Sequence, residues 1–234
     1  MDFDEVVIFA KKHQIKNLQM ISKHMDPRAP LEETKRKKAV LDENGLSCYS
    51  FGVAGTSLDP KQNRELFEFA KFMGIGVIVV EPGDFAIFDQ LEALVKEFNI
   101  KIAIHNHGIT SMYGNPLVVR ALLKDRDPRI GVCMDVGWVT SARFDAAKVF
   151  GDYAGRVYDI HLKDKKVNNT PQGDVATDTE IGKGDANYAG LFKALKESGW
   201  DGVLAIETDS GAFAGNPNDF VGQAKEFVDA AFPK

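Results

Sequence analysis

KIAIHNH, residues 101–107, decides the fold. Its apolar part, Ile102-Ala103-Ile104, has the composition of a strand buried in a sheet. It then ends abruptly in His105, Asn106 and His107. An ionisable group just past an apolar strand costs free energy unless it is paired or binds a metal. The arrangement recurs along the chain. VIVVE ends at Glu81, GVCMD at Asp135, VYDIH at His161 and VLAIE at Glu207, while NLQMISKH reaches His24. One such ending carries little information. A succession of them implies strands that aim polar groups at a common point, the layout of a parallel barrel with its site at the C-terminal ends of the strands.

Between these runs the periodicity is helical. FDEVVIFAKKH puts Phe3, Val6, Val7 and Ala10 on one face, and FDQLEALVKEFN carries Phe88, Leu91, Val95 and Phe98 on one stripe. Asp59-Pro60 and Asn115-Pro116 mark helix starts, and Gly45, Gly74 and Gly199 mark helix stops. Strands alternating with helices imply βαβ units and a parallel sheet. Strand endings recur about every 25–30 residues, the length of one βα unit. The pattern predicts an α/β fold, a (β/α)8 TIM barrel in one domain over residues 1–234. Only about seven strands can be counted, and the chain opens in a helix, so the first strand is lacking or shortened. Such a gap exposes sheet edges. A seven-stranded or open barrel, a neighbouring subunit in a homodimer, or a start site placed too late would each account for it. Residues 164–186, polar and rich in turn formers, read as a long loop after the His161 strand and a candidate lid or substrate clamp.

Composition excludes several function classes. The chain has 234 residues, 44% hydrophobic and 27% charged, with a net charge of −5, and reads as an ordinary globular protein. It offers no basic footprint for nucleic acid. The basic stretch in LEETKRKKAV is a solvated helix face. No apolar run approaches the roughly 20 residues that span a bilayer, and the N-terminus does not read as a signal peptide. Cys48 and Cys133 lie in apolar strands without CxxC spacing. They read as reduced core thiols, which fits the cytoplasm.

Alternation puts His105 and His107 on one face of their strand, and Asp159, His161 and Lys163 together on one face of theirs. Imidazoles and carboxylates from several strands make a mixed nitrogen and oxygen cage. That cage suits Mn²⁺ foremost, with Zn²⁺, Co²⁺ or Mg²⁺ as alternatives. Each group also has a plainer role. A strand-end histidine can be structural, a strand-end aspartate can cap the next helix, Glu81 before Pro82 can be a turn residue, and Lys163 can pair with Asp135 or Asp164.

IAIHNHG (102–108), CMDVG (133–137), IHLKD (160–164), the GKGD turn (182–185) and AIE (205–207) occur in this order. Together they resemble the xylose-isomerase-like TIM-barrel superfamily, in particular its sugar phosphate isomerase/epimerase proteins. The resemblance covers essentially the whole chain. It implies a metal held by His105, Asp135, His161 and Glu207. His105 stands where ketose epimerases carry glutamate, which removes one of the paired bases of a symmetrical epimerisation. Trp138 stands where similar proteins carry histidine, and indole cannot ligate a metal. The last strand continues as Glu-Thr-Asp rather than glutamate followed by an aromatic. The function expected is a divalent-metal-dependent sugar or sugar phosphate isomerase/epimerase working through an enediolate. Glu207, Glu81 and Lys163 would be its catalytic groups. His24, His107, Trp138 and Lys183 would bind the carbohydrate, Trp138 by stacking on a sugar face, and the GKGD turn would bind a phosphate through backbone N–H groups. A lyase or dehydratase acting on a keto-sugar, keto-glycoside or cyclitol is the first alternative, and a non-catalytic sugar-binding barrel the second.

Overall fold

The computed structural model describes residues 1–153, 155–171 and 173–232. They form two compact units, residues 1–105 with 125–132, and residues 106–124 with 133–232.

The first unit alternates helix and strand: α1 (Phe3–Lys12), β1 (Asn17–Met20), α2 (Leu31–Glu43), β2 (Ser47–Ala54), α3 (Pro60–Met73), β3 (Val77–Val80), α4 (Ile87–Phe98) and β4 (Lys101–His105), followed by the start of β5 (Ile130–Asp135). Pairings β1–β2, β2–β3 and β3–β4 are parallel. All four residues of β3 are buried, as are Ile102, Ala103 and Ile104 of β4. Continuous apolar runs are what a parallel strand covered on both faces requires. Helix stripes supply the cover through Phe67, Phe88 and Leu91, each fully buried. Each such side chain contributes roughly 1.5–3 kcal/mol. The start signals act as expected. Asp59 accepts from the Lys61 N–H ahead of α3, and Gly74 closes that helix at φ 75°. His24 lies beyond β1, which stops at Met20, so the apolar run overstates that strand.

The second unit contains α5 (Pro116–Leu123), the end of β5, α6 (Val136–Ser141), α7 (Ala146–Asp152), β6 (Val157–Leu162), β7 (Asp164–Thr170), β8 (Gly173–Thr179), α8 (Tyr188–Ser198), β9 (Val203–Ile206), α9 (Gly211–Gly215) and α10 (Pro217–Ala231). Strands β6 and β9 pair in parallel. Among the described residues the main sheet has seven strands, in the order β1-β2-β3-β4-β5-β6-β9, so the sequence count holds.

Two features depart from the sequence reading. The supposed loop at 164–186 begins as a ribbon in which β7 and β8 pair antiparallel from Asp164↔Thr179 to Thr170↔Gly173. Its residues are mostly polar on both faces, so no alternation announced it. Helix α6 starts directly from the end of β5, with Asp135 as its N-cap.

Candidate metal centre

Asp135 ends β5 and is completely buried. A reciprocal pair fixes its backbone: its N–H donates to Asn106 Oδ1 at 2.9 Å, and Asn106 Nδ2 donates to its carbonyl at 3.2 Å. The two side-chain oxygens then divide their work. Oδ1 accepts from the Trp138 N–H at 2.8 Å and caps α6. Oδ2 faces Lys163 Nζ at 3.1 Å and His161 Nδ1 at 3.9 Å.

His161 and Lys163 follow the alternation of β6, and both are buried. Glu207 follows β9, where its N–H continues the ladder to the Leu162 carbonyl. Glu207 Oε2 lies 2.6 Å from His161 Nδ1, and Oε1 lies 3.2 Å from Lys163 Nζ. Ligand atoms of Asp135, His161 and Glu207 all fall within 4.8 Å of one another, close enough to share one ion. Two carboxylates and an imidazole are a hard-to-borderline donor set that fits Mn²⁺, Mg²⁺, Zn²⁺ or Co²⁺.

Lys163 is the electrostatic hub. Besides Asp135 and Glu207, its ammonium donates to Asp209 Oδ2 at 2.8 Å. Burial alone would lower this amine, but Asp135, Glu207 and Asp209 together hold it well above the usual lysine range. Gly137 gives it room, since a Cβ there would lie 2.7 Å from Lys163 Cγ.

The neighbouring ribbon adds residues that the sequence reading missed. Lys165 is buried and pairs with Asp178. The Lys165 ammonium stands 3.9 Å from the centroid of the Trp138 ring, a cation–π distance. Trp138 therefore has one face covered by a lysine, and that face is not open to a sugar. His107 meets the same indole edge-on at 5.5 Å. The Trp138 Nε1 is buried without a hydrogen-bond partner among the described residues. The Glu-Thr-Asp continuation after the last strand carries Asp209, the third acid on Lys163.

The phosphate role expected of the GKGD turn is not supported. The N–H groups of Gly182, Gly184 and Ala186 donate to the Asp164 carboxylate at 3.0, 2.9 and 3.2 Å, so the turn already holds an internal anion. A Cβ at Gly184 would lie 2.0 Å from Asp164 Oδ1, which is why glycine stands there. The Lys183 side chain is exposed, 3.6 Å from Glu180, and is not brought to the cluster.

In the first unit, Glu81 and His105 form a pair of their own, with Oε1 2.6 Å from Nδ1. His24 is half-buried, and its Nδ1 has no hydrogen-bond partner among the described residues. Burial, then Lys23 and the N-terminus, lower its pKa below the ordinary histidine value.

A seven-stranded parallel sheet with a histidine–carboxylate–lysine cluster at its strand ends defines an α/β protein with a candidate metal centre. A sequence profile of the xylose isomerase-like TIM barrel family matches residues 1–231, and the chain belongs to that family. It is 24% identical over 218 residues to the inosose dehydratase of Clostridium perfringens, covering 85% of this chain and 71% of that one. The crystal structure of a xylose isomerase domain protein from Planctomyces limnophilus superposes with a TM-score of 0.79 at 15% identity, over 96% of this chain and 91% of the other. A D-psicose 3-epimerase superposes with a TM-score of 0.76 at 11% identity, over 99% and 94%. No helix among the described residues is long and apolar enough to cross a membrane.

Proposed function

We propose that the chain is a divalent-metal-dependent enzyme acting on a polyhydroxylated ketone, a keto-cyclitol or keto-sugar. It removes a proton beside the carbonyl and resolves the enediolate by expelling the β-hydroxyl as water. The observation that carries this reading is the Glu207 carboxylate 3.2 Å from an ammonium that three acids keep charged. Proton acceptor and positive charge stand side by side. The similarity to inosose dehydratases supports the dehydrating outcome.

Asp135, His161 and Glu207 would hold the ion, and their mutual spacing fits one. His105 occupies the position that the family resemblance assigns to a further ligand. When bound, a divalent ion polarises the substrate carbonyl and offsets the charge of the enediolate. Glu207 takes the proton from the carbon next to the carbonyl. The electron pair moves onto the carbonyl oxygen and returns to form the new C=C bond as the β carbon–oxygen bond breaks. Glu207 passes its proton to the departing hydroxyl, so substrate becomes enone plus water. Lys163 stays an ammonium throughout and donates hydrogen bonds to the oxygen on which charge develops.

The isomerase/epimerase reading shares the first step. Epimerisation needs a second proton carrier, for which the sequence offers Glu81. The glutamate that ketose epimerases carry at the position of His105 is absent, and this weighs toward the one-sided elimination. A reducing cytoplasmic setting belongs to the same proposal, supported by two buried cysteines that form no disulfide.

The test is proton NMR in D₂O with Mn²⁺-loaded protein and a panel of keto-cyclitols and ketoses. Metal-dependent exchange of the proton beside the carbonyl, followed by loss of water, is the expected result. Exchange with inversion and no water loss would transfer the assignment to epimerase. No exchange with any member of the panel would overturn the enzyme reading.

A further inference from the structure

We propose that Asp178, on the β7–β8 ribbon, is a positioning residue for the metal centre, fixing the backbone that carries Glu207 and Asp209. This rests on the metal-site reading above.

The segment after β9 has little packing to hold it. Val203–Ile206 are all only half-buried, and the Glu207 side chain is 34% exposed. Past the Glu207 N–H, which the ladder holds, the chain needs another anchor. Asp178 supplies it. Its Oδ2 accepts from the Asp209 N–H at 2.7 Å and from the Thr208 hydroxyl at 2.9 Å. Thr208 Oγ1 in turn accepts from the Ser210 N–H at 3.0 Å. The three residues that follow Glu207 are thus all referred to one carboxylate on the ribbon.

The other oxygen of Asp178 faces the buried Lys165, whose ammonium lies over Trp138. Trp138 is the residue whose N–H caps onto Asp135. One carboxylate is therefore tied to Glu207 through the backbone of 208–209, and to Asp135 through Lys165 and Trp138. Metal ligands held by a supporting shell of this kind bind about 10- to 100-fold more tightly than the same ligands without it. Both oxygens of Asp178 are taken up within the protein, one by Lys165 and the other by Thr208 and Asp209, so its role is to hold, not to react.

The experiment is Mn²⁺ titration by isothermal calorimetry on the full chain, comparing wild type with Asp178→Ala and Asp178→Asn. Asp174→Ala is the control on the same ribbon, since Asp174 pairs with Arg143 at 2.6 Å and takes no part in this network. Asp178→Ala should weaken Mn²⁺ binding about 10- to 100-fold. Asp178→Asn, which keeps the shape and an acceptor oxygen, should fall between it and wild type, and Asp174→Ala should match wild type. Equal affinity in wild type and both Asp178 variants would overturn the positioning role while leaving the metal site standing. Weakening by Asp174→Ala as large as by Asp178→Ala would overturn it too, because any disturbance of the ribbon would then suffice. Absence of Mn²⁺ binding by wild type would instead remove the metal-site reading, and the positioning role with it.

Discussion

His161 Nδ1 stands 2.6 Å from Glu207 Oε2. Two ligand atoms this close, on side chains from neighbouring parallel strands, are placed to share one ion or one proton. His161→Ala and Asp135→Ala should each abolish tight divalent binding while the far-ultraviolet circular dichroism stays that of wild type. Mass spectrometry of metal content after Mn²⁺ loading checks this. Unchanged metal in both variants would sink the proposed cage.

Glu207→Gln separates ligand from base. The amide keeps an oxygen donor but cannot accept a proton, so metal should remain bound, at reduced affinity. Exchange beside the carbonyl should fall by about 10²–10⁴, the usual contribution of a general base. A variant with metal bound and near-normal exchange would move the base elsewhere, with Glu81 the next residue to replace.

Lys163 balances Asp135, Glu207 and Asp209 from a buried position. Lys163→Met removes that charge and leaves buried carboxylate uncompensated, a change that costs about 3–5 kcal/mol when one partner of a buried pair is lost. Because its pKa is raised in the folded chain, the ammonium stabilises fully below the ordinary lysine value. The stabilisation is then lost as pH rises through the folded value. The gap in urea midpoint between wild type and Lys163→Met should therefore be constant from pH 6 to 9, near neutrality and well below the roughly 10.4 of free lysine, and close at higher alkalinity. A gap that widened with alkalinity would contradict the assigned ion pairs.

The strand ends were legible because burial of a parallel strand demands a continuous apolar run, and a charge after such a run stands out. Asp135 shows how two readings of one residue coexist. As a helix cap it uses Oδ1, and as a member of the cluster it uses Oδ2. The ribbon was not legible, since β7 and β8 draw their stability from the pairing with each other rather than from an apolar face. Asp178 and Lys165 lie on it and were missed for that reason. Spacing alone could not show that the N–H groups on either side of Lys183 are already given to Asp164.

Cys48 and Cys133 are buried thiols, neither of them in a disulfide. Burial pushes the Cys48 thiol up to about 12, so almost no thiolate exists near neutral pH. A chromogenic disulfide reagent at pH 8, about the value at which a free thiol begins to ionise, should leave the native protein unlabelled and react with both thiols once it is unfolded. Rapid labelling of the native state would mean that the strand ends holding these residues open readily.

Asp164 accepts from the N–H groups of Lys165, Gly182, Gly184 and Ala186 while almost fully buried. The carboxylate closes the 182–186 turn onto the root of the ribbon. Asp164→Ala would leave several donors without an acceptor in a partly dry site, at about 1–3 kcal/mol for each that water cannot reach. The expected result is a clear drop in thermal midpoint. Mn²⁺ affinity should change far less than in Asp135→Ala, because Asp164 faces the turn and not the cluster around Lys163. If Asp164→Ala cost metal affinity as heavily as Asp135→Ala, the turn would have to be counted as part of the metal centre's support, alongside the ribbon.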